Sequence, residues 1–212
     1  MTRIALIHAL AQSVPPINEA FARLWPEPTL MNLLDDSLSA DVAKTGLDAR
    51  MHQRFMTLAD YVVDCGADAI LFTCSAFGPC IEAVARKYPD MPVLKPNEAM
   101  IAQAGKRGRR IGLVATFAPT LASMPAEFPD TVEVETELAA GALDALNAGD
   151  AARHDELAAQ AAGRLQARGC DLIALAQFSL ARAAPKVAQS VPLDVLTTVD
   201  SAVELLREKL SP

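Results

Sequence analysis

The sequence predicts an α/β protein made of two similar halves, each a doubly wound parallel sheet with helices on both faces. Three observations predict it. Short apolar runs bounded by turn signals alternate with longer stretches of helical periodicity over all 212 residues. The runs are apolar throughout, as strands covered on both faces must be. The pattern then restarts halfway. Arg3-Ile4-Ala5-Leu6-Ile7 is echoed by Arg110-Ile111-Gly112-Leu113-Val114, and Gly66-Ala67-Asp68-Ala69-Ile70 by Gly169-Cys170-Asp171-Leu172-Ile173. The echoes keep their order and nearly their spacing, 107 positions (3 against 110) and 103 positions (66 against 169). That reads as an internal duplication. The halves fall at 1–95 and 96–199, and the last helix, 200–212, could pack on either.

Taken in order, 3–9 is an apolar first strand, 16–24 a helix and 29–34 a second strand, followed by a polar loop through Asp41. A long helix covers 45–65, and Gly66 ends it as a C-terminal cap. The third strand is 68–73, a helix runs from Ser75 to Tyr88 and Pro89 stops it. A short strand at 92–94 closes the first half, and a helix at 97–106 follows it. The second half repeats the scheme. It has strands at 110–116, 131–136, 171–176 and 192–196, helix over 138–168 with a break near Gly149-Asp150, a helix to Gln189 and a last one at 201–210.

Composition excludes several classes. The net charge is −7 and the pI about 5.0, and the one basic cluster, Lys106-Arg107-Gly108-Arg109-Arg110, is short. A phosphate backbone needs more positive charge than this, so no nucleic-acid partner is expected. No run of 18 apolar residues offers a membrane span, and the first residues read as a strand, not a signal peptide. The four cysteines form no CxxC pair, so reduced thiols in the cytoplasm are the expectation. GxGxxG, Walker A, GxSxG and HExxH are absent, which leaves nucleotide cofactors and a zinc hydrolase without support. No metal and no cofactor are expected.

Open α/β sheets bind ligands beyond the carboxyl ends of their strands. Four such ends carry the candidates: His8-Ala9-Leu10, Thr73-Cys74-Ser75-Ala76, Thr116 through Thr120, and Ala176-Gln177-Phe178-Ser179. If the halves face each other, all four converge on one cleft. Cys74 is the sharpest signal. A thiol at a helix N-terminus feels the positive end of the helix dipole, which lowers its pKa, and the same N–H groups hold a carboxylate. Cys65, Cys80 and Cys170 fit buried structural positions instead. Thr116 and Thr120 offer hydroxyls that suit a helix cap and a ligand contact alike. His8 fits a general base, a ligand-orienting group or a hydrogen-bonded strand end equally. His52, His154, Glu82 and Glu98 read as surface residues. Few charged residues lie near the four ends, which points to a substrate with a neutral or apolar substituent.

At these residues the chain resembles the aspartate/glutamate/hydantoin racemase superfamily. Thr73-Cys74-Ser75-Ala76 matches in full its first cysteine motif, T/N-C-S/N-A, and Ile111 to Thr116 with Thr120 is similar to its strand and threonine-rich carboxylate loop. The resemblance implies two halves related by pseudo-twofold symmetry, an active site in the cleft between them, no cofactor and one cysteine from each half flanking the substrate Cα. A homodimer is consistent with it. The chain departs from it in two places. Leu175-Ala176-Gln177 stands where relatives carry L-G-C, and His8-Ala9 where many carry Asn-Pro. The internal spacing of 103 pairs position 74 with 177 independently.

Gln177 cannot exchange a proton as a thiol does. The resemblance therefore implies an enzyme acting at the α-carbon of a small carboxylate with Cys74 as acid/base, and leaves its reaction open. It could racemise with a partner such as His8 or water. It could react on one side only, as in arylmalonate-type decarboxylation, or use Cys74 as a nucleophile, as in maleate-type isomerisation. Thr73, Ser75, Ala76, Thr116, Thr120, Gln177, Phe178 and Ser179, with His8, are the expected substrate-binding residues. A non-catalytic protein that binds small carboxylates is the competing reading.

Overall fold

A run of four consecutive core residues, Ile4 to Ile7, makes the first strand, β1 (Arg3–His8), a central one, since only a strand covered on both faces carries such a run. The structure is a computed structural model and describes residues 2–210. Its residues form two units, which divide at Pro96/Asn97 and again at Ser201/Ala202; the stretch from Ala202 on belongs with the stretch up to Pro96.

In the first unit β1 leads through a 3-10 turn into α1 (Val14–Leu24), then β2 (Thr29–Leu34), α2 (Leu38–Thr45) and α3 (Ala49–Asp64). β3 (Ala69–Phe72) follows, then a 3-10 turn at Ser75–Phe77, α4 (Gly78–Lys87) and β4 (Val93–Leu94). All strands are parallel in the order β2-β1-β3-β4. Side chains alternate across a strand, so Ala5, Ile7, Ile70 and Phe72 face one layer while Ile4, Leu6 and His8 face the other. The first layer is α3 and α4, which bury Phe55, Ala59, Val62, Ile81 and Val84 against the sheet. Phe55 packs on Phe72 at 5.3 Å and on Phe77 at 4.8 Å between ring centroids.

The second unit opens with α5 (Glu98–Arg107), then β5 (Arg110–Ala115), α6 (Ala118–Ser123), β6 (Glu133–Leu138), α7 (Ala142–Asn147) and α8 (Ala151–Ala167). β7 (Leu172–Leu175), a 3-10 segment at Phe178–Ala183, α9 (Ala184–Ser190) and β8 (Asp194–Thr197) complete it. Its sheet is again parallel, in the order β6-β5-β7-β8. One apolar layer joins Val114, Ile173 and Leu175 to α8 and α9, and the other joins Leu113, Ala115, Ala174 and Ala176 to α5. α10 (Thr198–Leu210) starts in this unit, and from Ala202 it belongs to the first.

The two units repeat one another in detail. Asp68 accepts a hydrogen bond from the backbone N–H of Arg3 at 2.7 Å, and Asp171 accepts one from that of Arg110, the equivalent position, at 3.2 Å. Gly66 and Gly169 both take the left-handed conformation, with φ of +79° and +86°, that lets a helix stop and the chain turn into its next strand. α3 and α8 are capped alike. Asp48 and Asp150 accept from the N–H three residues on, Met51 at 2.8 Å and Arg153 at 3.0 Å.

Four expectations change. The loop expected through Asp41 is helix α2, whose Leu38 is buried and whose Val42 packs on the core. The following helix starts at Ala49, not 45, because Gly46 ends α2 and Asp48 caps α3. The expected helix from Ser75 is split. Continuous helix would need a Pro79 N–H bonded to the Ser75 carbonyl, and proline has none, so a 3-10 turn precedes α4. α6 lies in a stretch without an expected element.

Candidate active site

Strand register decides which residues share a level at the carboxyl ends. In the first unit Ile7 lies beside Phe72, so His8 lies beside Thr73 and Ala9 beside Cys74. In the second unit Val114 lies beside Leu175, so Ala115 lies beside Ala176 and Thr116 beside Gln177. The last ladder bonds agree. Thr73 N–H donates to the Ile7 carbonyl at 3.0 Å, and Ala176 N–H to that of Val114 at 2.9 Å. Cys74 and Gln177 are therefore equivalent positions, each one residue past the last rung of the third strand.

Cys74 is half-buried, in extended conformation, and caps the 3-10 turn. Burial pushes its thiol pKa up, and the Ala76 N–H directed at Sγ only partly offsets this. The expected lowering by a helix dipole is overturned. The three-residue turn between Cys74 and α4 leaves the thiol short of the long helix. Ser75 and Ala76 are exposed beside it.

His8 is fully buried, with both ring nitrogens engaged. Nδ1 lies 3.0 Å from Thr73 Oγ1, and Nε2 lies 2.9 Å from Asn32 Oδ1. Desolvation lowers its pKa, against the raising effect of the Asn32 hydrogen bond, so the neutral ring is favoured. Asn32 in turn donates through Nδ2 to Asn18 Oδ1 at 3.2 Å. Neither asparagine figured among the sequence candidates. The one available signal was Asn32 itself, a polar residue inside the apolar run Thr29-Leu30-Met31-Asn32-Leu33-Leu34.

In the second unit Gln177 Oε1 accepts two hydrogen bonds from Thr116, from N–H at 2.6 Å and from Oγ1 at 2.9 Å. A backbone N–H can only donate, so the atom facing it must be the amide oxygen. The Gln177 NH2 is thereby turned away from Thr116. Thr116 and Phe178 are buried, while Thr120 and Ser179 are half-buried on α6 and on the 3-10 segment. Leu10, Leu34 and Phe117, each at or just past a strand's carboxyl end, are exposed.

The histidines away from these ends divide. His52 is half-buried, but His154, expected on the surface, is fully buried with Nδ1 at 2.7 Å from Asp155. It lies among the alanines of α8, where Arg182 also pairs with Asp155. Cys80 and Cys170 are buried, and Cys65 is half-buried at the end of α3. Among the described residues no group of three or more His, Cys, Asp or Glu could hold a metal ion, and no helix is long and apolar enough to cross a membrane.

The model of the Asp/Glu/hydantoin racemase family matches residues 15–206. The chain belongs to this family. Solved structures agree in fold. An aspartate racemase homologue from Pyrococcus horikoshii OT3 superposes with a TM-score of 0.80 at 16% identity, over 100% of both chains. Glutamate racemase from Francisella tularensis, in complex with D-glutamate, gives 0.71 at 14% identity, over 99% of this chain and 81% of that one. A cysteine-for-glycine mutant of arylmalonate decarboxylase gives 0.67 at 18% identity, over 99% and 94%. No curated protein matches the sequence. The racemase-family neighbours thus include a decarboxylase beside the racemases, and the family alone leaves the reaction type open.

Proposed function

We propose that this racemase-family chain acts without a cofactor at the α-carbon of a small carboxylate, with Cys74 moving the proton on one face only. The observation that carries the reading is the equivalence of positions 74 and 177, a thiol in one unit and an amide in the other. An amide donates hydrogen bonds but does not exchange protons in the way a thiol does.

The state of Cys74 favours a direction. Burial keeps the group as a thiol at neutral pH, which suits a proton donor better than a base or nucleophile. Loss of CO2 from a carbon that bears two carboxylates, or removal of the α-proton by water on the face away from Cys74, leaves an electron pair on Cα that spreads into the remaining carboxylate. The thiol transfers its proton to Cα, the C–H bond forms, and water reprotonates the thiolate. Backbone N–H groups and hydroxyls around Ser75, Thr116 and Thr120, with the Gln177 NH2, would stabilise the developing oxyanion. The exposed Leu10, Leu34 and Phe117 are consistent with an apolar or aromatic substituent on the substrate.

The test is to incubate the protein in D2O with amino acids, hydantoins and α-substituted malonates, following Cα deuterium and CO2. One of these classes is expected to react with retention of a single product hand. Cys74→Ala should lower the rate by about 100-fold or more. Gln177→Cys should add a second thiol and turn the single-handed product into a racemate. No turnover on the whole panel, with carboxylate binding unchanged in Cys74→Ala, would establish a binding protein instead.

A further inference from the structure

The two sheets differ at one matched pair of positions. His8 and Thr73 in the first unit hold the places of Ala115 and Ala176 in the second, where both alanines are buried in an apolar layer. Packing alone is met by alanines there. The first unit instead buries a histidine at 0% exposure and a threonine at 5%, and joins them. A buried polar pair is tolerated only when its hydrogen bonds are made, so its partners fix its state.

With the Asn18 and Asn32 amides placed as they are, one arrangement follows. Asn32 Nδ2 donates to Asn18 Oδ1, which turns Asn32 Oδ1 toward His8. Oδ1 can only accept, so Nε2 of His8 carries the hydrogen. In the neutral ring, favoured by burial, Nδ1 must then accept. The Thr73 hydroxyl supplies that hydrogen at 3.0 Å, in preference to the Ile7 carbonyl at 3.4 Å. Three hydrogens in series thus point from Thr73 outward to Asn18 on α1. The chain ties β3 to β1, β2 and α1 at the residue that immediately precedes Cys74.

We infer that Asn32 and His8 are positioning residues that act through Thr73, holding the end of β3 and with it the direction in which Cys74 presents its sulfur. This rests on Cys74 being the reacting group, as proposed above. His8 on this account touches no substrate, although its place at a strand end suggested that it would.

The experiment has two readouts on the ligand-free protein. In 15N NMR, His8 is expected as the neutral Nε2–H tautomer at pH 7. An Nδ1–H tautomer or an imidazolium would overturn the inference, because Thr73 would then be an acceptor free to turn to Ile7. The second readout is alkylation of Cys74 by iodoacetamide at pH 9, in Thr73→Val, Asn32→Leu and the double variant, with thermal melting to confirm the fold. Each single variant is expected to change the rate by at least about threefold, and the double by no more than either alone, since the residues act in series. Unchanged rates, or additive effects, would overturn it. On any substrate found, the variants should lower kcat with little change in KM, whereas direct substrate contact would raise KM. Failure of Cys74 as the reacting group is read separately, from Cα exchange that survives Cys74→Ala.

Discussion

At the scale of single residues burial sets the ionisation of two side chains, His8 and Cys74. His8 has its pKa lowered from 6.5 by desolvation, so the unfolded chain binds a proton in a pH range where the folded one does not. Its contribution to stability is complete above 6.5 and is lost as pH falls from there toward the folded value. Urea melts between pH 7.5 and 5 should show this loss, and His8→Asn should flatten it. Cys74 lies on the opposite side of the argument. Its raised pKa means that alkylation should be slow near neutrality and accelerate only on the alkaline side of an ordinary cysteine. A fast reaction at pH 7 would restore the activated thiolate. Cys74 was legible from the sequence because an apolar strand ending in Thr-Cys-Ser-Ala is a distinctive string. Its ionisation was not, because the 3-10 turn enforced by Pro79 and the packing around the sulfur are set in three dimensions.

Among elements, the helices that flank the strands show how closely the two units copy one another and where they diverge. Asp48 and Asp150 cap α3 and α8 through the same local string, Asp-Ala followed three residues later by a histidine, at 52 and 154. Replacing either aspartate by alanine should cost about 1 kcal/mol, read from chemical denaturation. Divergence is clearest at Gly112. A Cβ there would meet Leu165 and Ile173 at 3.0 Å, so α8 approaches β5 more closely than a side chain allows. Gly112→Val should destabilise by about 1–3 kcal/mol by overpacking. β6 is a sheet edge whose Glu133, Glu135 and Glu137 pair with Arg110, Arg164 and Arg168. Exposed pairs of this kind add little stability, and such charge discourages edge-to-edge association. Long elements with strong periodicity were legible in the sequence. The short helices α2 and α6 were not, because one or two turns offer too few apolar repeats, and α2 is fixed mainly by Leu38 reaching the core.

For the whole molecule, the duplication read from two five-residue echoes is matched by identical strand orders, paired aspartate ties and paired positive-φ glycines. Phe55 joins three elements of the first unit in one aromatic cluster, and Phe55→Ala should cost about 3–5 kcal/mol. Chain connectivity does not follow the duplication. Ala202, Val203 and Leu206 of α10 are fully buried, and Arg207 donates to the Leu24 carbonyl at 3.1 Å, all within the unit that begins with β1. A ribosome therefore delivers every strand of that unit first and its last helix after the whole of the other unit has emerged. The half that carries Cys74 is begun first and completed last, only once synthesis has passed residue 206.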